Sequence, residues 1–252
     1  MKKIRVIARL DIKNEFVIKG IHLEGLRKVG NPNILAKKYY EEGIDEIIFM
    51  DAVAAYYDRN SLSEIIERAC RDVFIPITVG GGIRTIEDIQ KALNSGADKV
   101  AINTQVIHRP EFITEASEVF GSQCIVSSIV AKQIAENSWE AYIDNGREPT
   151  GIDVLEWAKK VESLGAGEIM LTSIDKEGTK KGFDLALNQA VSSIVSIPII
   201  ASGGMKCSRD AIVLLENSQI DAVAMASTLH YKLETIEAIK HQLSENNIKV
   251  RV

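Results

Sequence analysis

The sequence predicts an α/β fold, a (β/α)₈ barrel assembled from two half-barrel repeats. Three observations carry this. First, short apolar, β-branched runs recur eight times, at 4–10, 46–50, 75–79, 99–102, 125–130, 168–171, 197–201 and 222–225. Second, stretches of helical periodicity separate most of them, at 33–42, 61–72, 85–95, 152–164 and 236–243, and strand–helix alternation is the signature of a parallel sheet. Third, the chain matches itself: IPITVGGGIRT (75–85) lies over IPIIASGGMKC (197–207), GADKVAINT (96–104) over QIDAVAMAS (219–227), and GIDEIIFMDA (43–52) over GAGEIMLTSI (165–174). Internal repetition at this scale marks duplication. A doubly wound open sheet would also alternate, but no G-x-G-x-x-G follows the first run. The expected organisation is one domain over 1–252, with half-barrels at about 1–121 and 122–252.

Composition sets the class. The 252 residues are 46% hydrophobic and 26% charged, with a net charge of -5. That balance gives no general attraction to nucleic acid or to an anionic membrane, so neither is expected as a partner, and any anion site must be local. Cys70, Cys124 and Cys207 are odd in number, widely spaced and without a C-x-x-C pair, so no disulfide framework and no metal site is expected. With no secretory or membrane-spanning run, a reducing cytoplasm is the expected location.

The first strand carries the first candidate. Asp11 ends it, at the barrel face where such enzymes place their chemistry, and a carboxylate there can exchange protons during carbon–nitrogen bond formation. Lys19 follows in the same connection, placed to hold a phosphate or a developing negative charge. Period-two alternation puts Arg5, Ile7, Arg9 and Asp11 on one face. If that face is inward, Arg9 must be paired; Asp11 is its nearest candidate, and the pairing would lower the Asp11 pKa.

Glycine clusters follow strands three (80–82) and seven (203–204). Glycines let backbone N–H groups approach an oxyanion closely, and Asn103 with Thr104, then Ala226 with Ser227, end the neighbouring strands. Two such sites related by the repeat imply a ligand with a phosphate at each end. A further loop, 175–179, is placed to close over the second.

The fifth strand supplies the contrast. Aligning Lys13 with Lys132 puts Val130 at the position equivalent to Asp11, and valine carries no proton. At the opposite ends of strands one, two, four and six stand Arg5, Glu46, Lys99 and Glu168. If all point inward, two cations and two anions close the barrel bottom as a gate for a small polar solute.

With these motifs in view, LDIKNEFVIKG (10–20), FIPITVGGGIRT (74–85), GADKVAINT (96–104), FGSQCIV (120–126), the long segment 146–184 and PIIASGG (198–204) resemble the cyclase subunit of imidazole glycerol phosphate synthase, from histidine biosynthesis. The related phosphoribosyl-formimino isomerase shares the repeat but is less similar over 146–184. The resemblance implies a cytoplasmic lyase/cyclase in a heterodimer with a glutaminase, which receives ammonia through the barrel and joins it to a bisphosphorylated ribulosyl substrate. No cofactor is implied.

Residue by residue, it implies that Asp11 is one of two catalytic aspartates and Lys19 a substrate-binding loop lysine. Gly82, Asn103 and Thr104 would form one phosphate site; Gly178, Gly204, Ala226 and Ser227 would form the other. Arg5, Glu46, Lys99 and Glu168 would be the ammonia gate, and Asp98 and Gln123 would meet the glutaminase. Three positions depart from the pattern: Val130 replaces the second aspartate, Arg9 a small residue and Glu177 an aspartate. Losing one of two proton-transfer groups removes about 10²–10⁴-fold of rate. Two alternatives follow, an ammonia-supplying paralogue working with a surface-polysaccharide sugar amidotransferase, and a non-catalytic scaffold for a phosphorylated ligand.

Overall fold

A computed structural model describes residues 3–54 and 62–251. Eight strands close into a parallel barrel: β1 (Arg5–Lys13), β4 (Glu46–Asp51), β5 (Ile77–Gly80), β6 (Lys99–Ile102), β7 (Ile125–Ala135), β10 (Glu168–Ser173), β11 (Ile199–Ser202) and β12 (Ala222–Met225). Each pairs with the next in that order, and β12 pairs back onto β1, Arg5 opposite Ala222 and Ala8 opposite Met225. Closure leaves the eight barrel strands no free edge.

Alternation along each strand sorts the core into two parts. Outward residues such as Val6, Leu10, Phe49, Val79 and Leu171 pack under the helices in one large cluster. Inward residues Ile7, Ile48, Ala101, Val126, Met170, Ile200, Ala222 and Ala224 fill the lumen. Burying each large aliphatic side chain contributes about 1.5–3 kcal/mol, and an aspartate at Ile48 would leave an unpaired charge in this layer.

The surrounding helices are α1 (Pro32–Glu41), α2 (Ser63–Ala69), α3 (Ile86–Asn94), α4 (Thr104–His108), α5 (Phe112–Phe120), α6 (Val154–Ser163), α7 (Leu185–Ser192), α8 (Ser208–Asn217), α9 (Ser227–His230) and α10 (Ile236–Glu245). Local chemistry starts them. Asn31 accepts from Asn33 N and Ile34 N ahead of Pro32, and Thr85 and Asp88 form a reciprocal capping box on α3. Asp153 accepts from Leu155 N and Glu156 N, so α6 begins at Val154, two residues after the expected start, and Ile152 belongs to a strand. The helix expected over 61–72 spans Ser63–Ala69, followed by a turn; residue 61 lies outside the described residues. No helix among the described residues is long and apolar enough to cross a membrane.

The connection after the first strand is not the plain loop expected. β1 runs three residues past Leu10, because its end pairs with β2 (Phe16–Ile21), Asp11 opposite Ile18, and β2 pairs with β3 (Glu24–Gly30). The second half repeats the arrangement: β7 extends to Ala135 and pairs with β8 (Ser138–Ile143), Val130 opposite Tyr142, and β8 pairs with β9 (Glu148–Asp153). Asn14 (φ 56°) and Asn137 (φ 54°) turn the two hairpins, asparagine being tolerant of the left-handed region. Both hairpins stand on the C-terminal mouth.

Candidate active site at the barrel mouth

At the N-terminal end, inward alternation brings four charges into one closed ring. Arg5 Nη1 donates to both carboxylate oxygens of Glu46 at 2.9 and 3.1 Å, and Arg5 Nη2 donates to Glu168. Lys99 Nζ lies 2.9 Å from Glu168 and 3.5 Å from Glu46. The glutamates are buried, while Arg5 and Lys99 keep 17% and 20% exposure. Burial works against the charged form of Arg5, but the two carboxylates outweigh it and raise its pKa.

The mouth has a different chemistry. Arg9 is 3% exposed and points inward. Its Nε donates to Asp11 Oδ1 at 2.9 Å, and its Nη1 donates to Thr172 Oγ1 at 2.9 Å and to Ser202 Oγ at 3.1 Å. The guanidinium therefore reaches from β1 to β10 and β11. Lys19, equally buried, sets Nζ 3.7 Å from Asp11 Oδ2 and donates to Glu177 Oε1.

These contacts set the protonation states. Burial favours a neutral Asp11, but Arg9 and Lys19 outweigh it and hold the carboxyl below its usual range. Burial, reinforced by Arg9 and opposed by Asp11, pushes Lys19 down to about 8. His230 follows the same logic. Burial and nearby Lys19 bring it to about 4, its ring stacks on Tyr39 with centroids 5.9 Å apart, and Nδ1 lies 2.8 Å from the Tyr39 hydroxyl.

Val130 occupies the wall of the mouth on the opposite half. It packs with Leu23, Ile174 and Tyr142, in register with Thr172 on one side and Tyr142 on the other. Among the described residues, this cluster holds no carboxylate.

Two cavities open at the mouth, and Arg9 lines both. The larger, about 320 Å³, is bounded by Gly81, Gly82, Asn103, Thr104, Ser128 and Val130, and reaches inward to Met50 and Ala101. Asn103 Nδ2 donates to Tyr142 O at 2.9 Å, tying β6 to the second hairpin. The smaller cavity is bounded by Gly178, Lys180, Gly203, Gly204, Ala226 and Ser227, and the Ser227 hydroxyl is buried with no partner among the described residues. Gly204, at φ 102°, leaves no room for a Cβ, which would sit 2.1 Å from Gly182 O. The cavity is small, about 10 Å³, and its unused hydroxyl offers one donor to an oxyanion.

With this geometry in place, the comparison with known proteins is direct. A family model described as "Histidine biosynthesis protein" matches residues 5–235. The barrel is similar to the imidazole glycerol phosphate synthase subunit HisF of Legionella pneumophila, 60% identical over 205 residues, 81% of this chain and 97% of that one. The chain belongs to the HisF family. HisF of Lactococcus lactis subsp. cremoris is 50% identical over 249 residues, 98% of this chain and 96% of that one, and HisF of Methanococcus vannielii is 44% identical over 268 aligned positions, 98% of each.

The residues singled out in the sequence fall into these places. Arg5, Glu46, Lys99 and Glu168 meet in the ring; Gly82, Asn103 and Thr104 share the larger cavity, and Gly178, Gly204, Ala226 and Ser227 the smaller. Asp98, whose Oδ2 accepts from Ile77 N at 2.8 Å, and Gln123 are exposed near the ring end. Lys19 stands on β2, its amine held by Asp11 and Glu177, and lines with Asp11, Leu23, Ala52 and Asn145 a further small cavity rather than the larger or the smaller of these two. Loop 175–179 packs on the first hairpin, with His22 N donating to Glu177 O at 2.8 Å, and Gly178 reaches the smaller cavity. Thr172, Ser202 and His230 were not anticipated. Counting inward in twos from Glu168 reaches Thr172, a signal present in the sequence; nothing local marks His230.

Proposed function

We propose that this HisF-family barrel is the ammonia-handling subunit of a glutaminase complex, with a mouth that binds a bisphosphorylated ribulosyl-type ligand but drives cyclisation poorly. Ammonia would be admitted through the Arg5–Glu46–Lys99–Glu168 ring and would reach the mouth along the Met50–Ala101 side. The two glycine-lined cavities would each take a phosphate. Asp98 and Gln123 would contribute to the face that meets the partner.

One observation carries the limit on chemistry: Val130 sits in an apolar cluster where proton transfer needs a second group, while Asp11 is bonded to Arg9. A carboxylate already neutralised by a guanidinium is a weaker base. The test supplies the ribulosyl bisphosphate substrate with ammonium salt to the purified protein and follows its consumption. Turnover about 10²-fold or more below that of a HisF relative bearing both aspartates, with ligand binding retained, is the expected result; matched turnover would overturn it. Stimulation of glutamine hydrolysis in a co-purified glutaminase, without cyclisation, would point to an ammonia acceptor of another class, such as a sugar amidotransferase.

A further inference from the structure

Outside the mouth, the first hairpin and the end of α9 face each other across a groove of about 780 Å³. One wall is the β2–β3 ribbon. Lys19 stands opposite Arg27 in that ladder, and cross-strand neighbours share a face, so Arg27 lies on the side to which Lys19 points. The other wall is Tyr231, just past α9, with Lys180 Nζ 5.0 Å from the centre of its ring. Gly178 and Lys180 also bound the smaller mouth cavity, so the groove and the mouth lie on either side of one loop.

The groove departs from the rest of the chain in charge. The protein carries a net charge of -5, yet Arg27, Lys28 and Lys180 line this space against one carboxylate among the described residues, Glu24. All four side chains are exposed, and none of the three cations has an ion-pair partner among the described residues. Lys19 adds little, because Asp11 and Glu177 take up its charge. Such a rim attracts an anion. Surface lysines alone would be ordinary, but Tyr231 is 44% and Ile21 57% exposed, and both line the same space. A water-facing ring beside unpaired cations is a stacking platform for a base, with the phosphates taken by the charges. Cations on opposite walls match a diphosphate, which offers one phosphate to each. The volume lies within the range that holds a single small ligand.

We propose that this groove binds a nucleoside diphosphate, its base lying on Tyr231 and its phosphates between Arg27 and Lys180. An inorganic anion engages the cations alone and a free nucleoside the ring alone, so the assignment requires both parts in one molecule. The site is independent of the ribulosyl ligand at the mouth, since Ile21, Arg27 and Tyr231 line neither mouth cavity.

The test is calorimetric titration of the full chain with ADP and UDP, against pyrophosphate, adenosine and uridine. At least one diphosphate is expected to bind about tenfold or more tightly than pyrophosphate and than its own nucleoside. Tyr231→Leu and Arg27→Gln are each expected to weaken that ligand about tenfold; both residues are on the surface, and an unchanged Tm shows that the variants keep the fold. Pyrophosphate binding as tightly as both diphosphates would reduce the groove to a charged surface and overturn the proposal. Nucleotide affinity unchanged in both variants would put the ligand at the mouth and overturn it as well. Absence of binding by both diphosphates, or tighter binding of a single-stranded oligonucleotide, would do the same.

Discussion

Arg9 Nε lies 2.9 Å from Asp11 Oδ1, with both side chains buried inside the barrel. Two residues apart on one strand, they share the inward face, so the carboxylate proposed for proton transfer carries its own counter-ion. That bond and Val130 are coupled in their effect on chemistry, and undoing one alone is expected to recover little.

The double variant Arg9→Cys/Val130→Asp is therefore expected to raise cyclisation with ammonium by about 10²-fold, more than the product of the two single changes. Steady-state consumption of the ribulosyl substrate measures this. Val130→Asp alone places a carboxylate among Leu23, Ile174 and Tyr142 and is expected to cost about 2 kcal/mol in urea unfolding.

His230 gives a pH signature. Its pKa in the fold, about 4, lies below its ordinary value of 6.5. Between these values the unfolded chain binds more protons, so stability rises with pH from about 4 to 6.5 and is lost on acidification through that window. The contribution is at most about 3 kcal/mol. Urea midpoints measured at several pH values across that range are expected to flatten in His230→Gln; an unchanged slope would assign the window to other groups.

Gly204→Ala tests the smaller cavity. The residue sits at φ 102° and its Cβ would meet Gly182 O, so the backbone must move. Destabilisation by more than about 1 kcal/mol is expected, together with loss of thermal protection by inorganic phosphate. Protection that survives would place the phosphate elsewhere.

Arg5→Met tests the ring. It leaves Glu46 and Glu168 buried, with only Lys99 between them. Removing one partner from a buried ion cluster costs about 3 kcal/mol, measurable by denaturant titration, and the glutamate pair should tolerate the loss better when Glu168 is also changed to Gln.

Much of this was legible in the sequence because duplication and period-two alternation are strong signals. The eight barrel strands, the inward ring and the Arg9–Asp11 pair all follow from spacing and sidedness. The two hairpins did not, although Asn14 and Asn137 mark their turns, because extended strand ends at 11–13 and 131–135 look like loop polarity until antiparallel partners are placed beside them. Lys19 shows the limit most clearly. Its buried partner Glu177 lies 158 residues away along the chain, and no local pattern announces such a pairing.

The apolar cluster at Val130 has a consequence for access as well as for chemistry. Leu23 comes from the first hairpin, Tyr142 from the second, and Ile174 from the end of β10. Where a carboxylate would have kept these pieces apart and hydrated, a hydrocarbon keystone joins them. The two flaps over the mouth therefore meet through hydrocarbon contacts at their base, and Val130 is the barrel-strand residue that joins them.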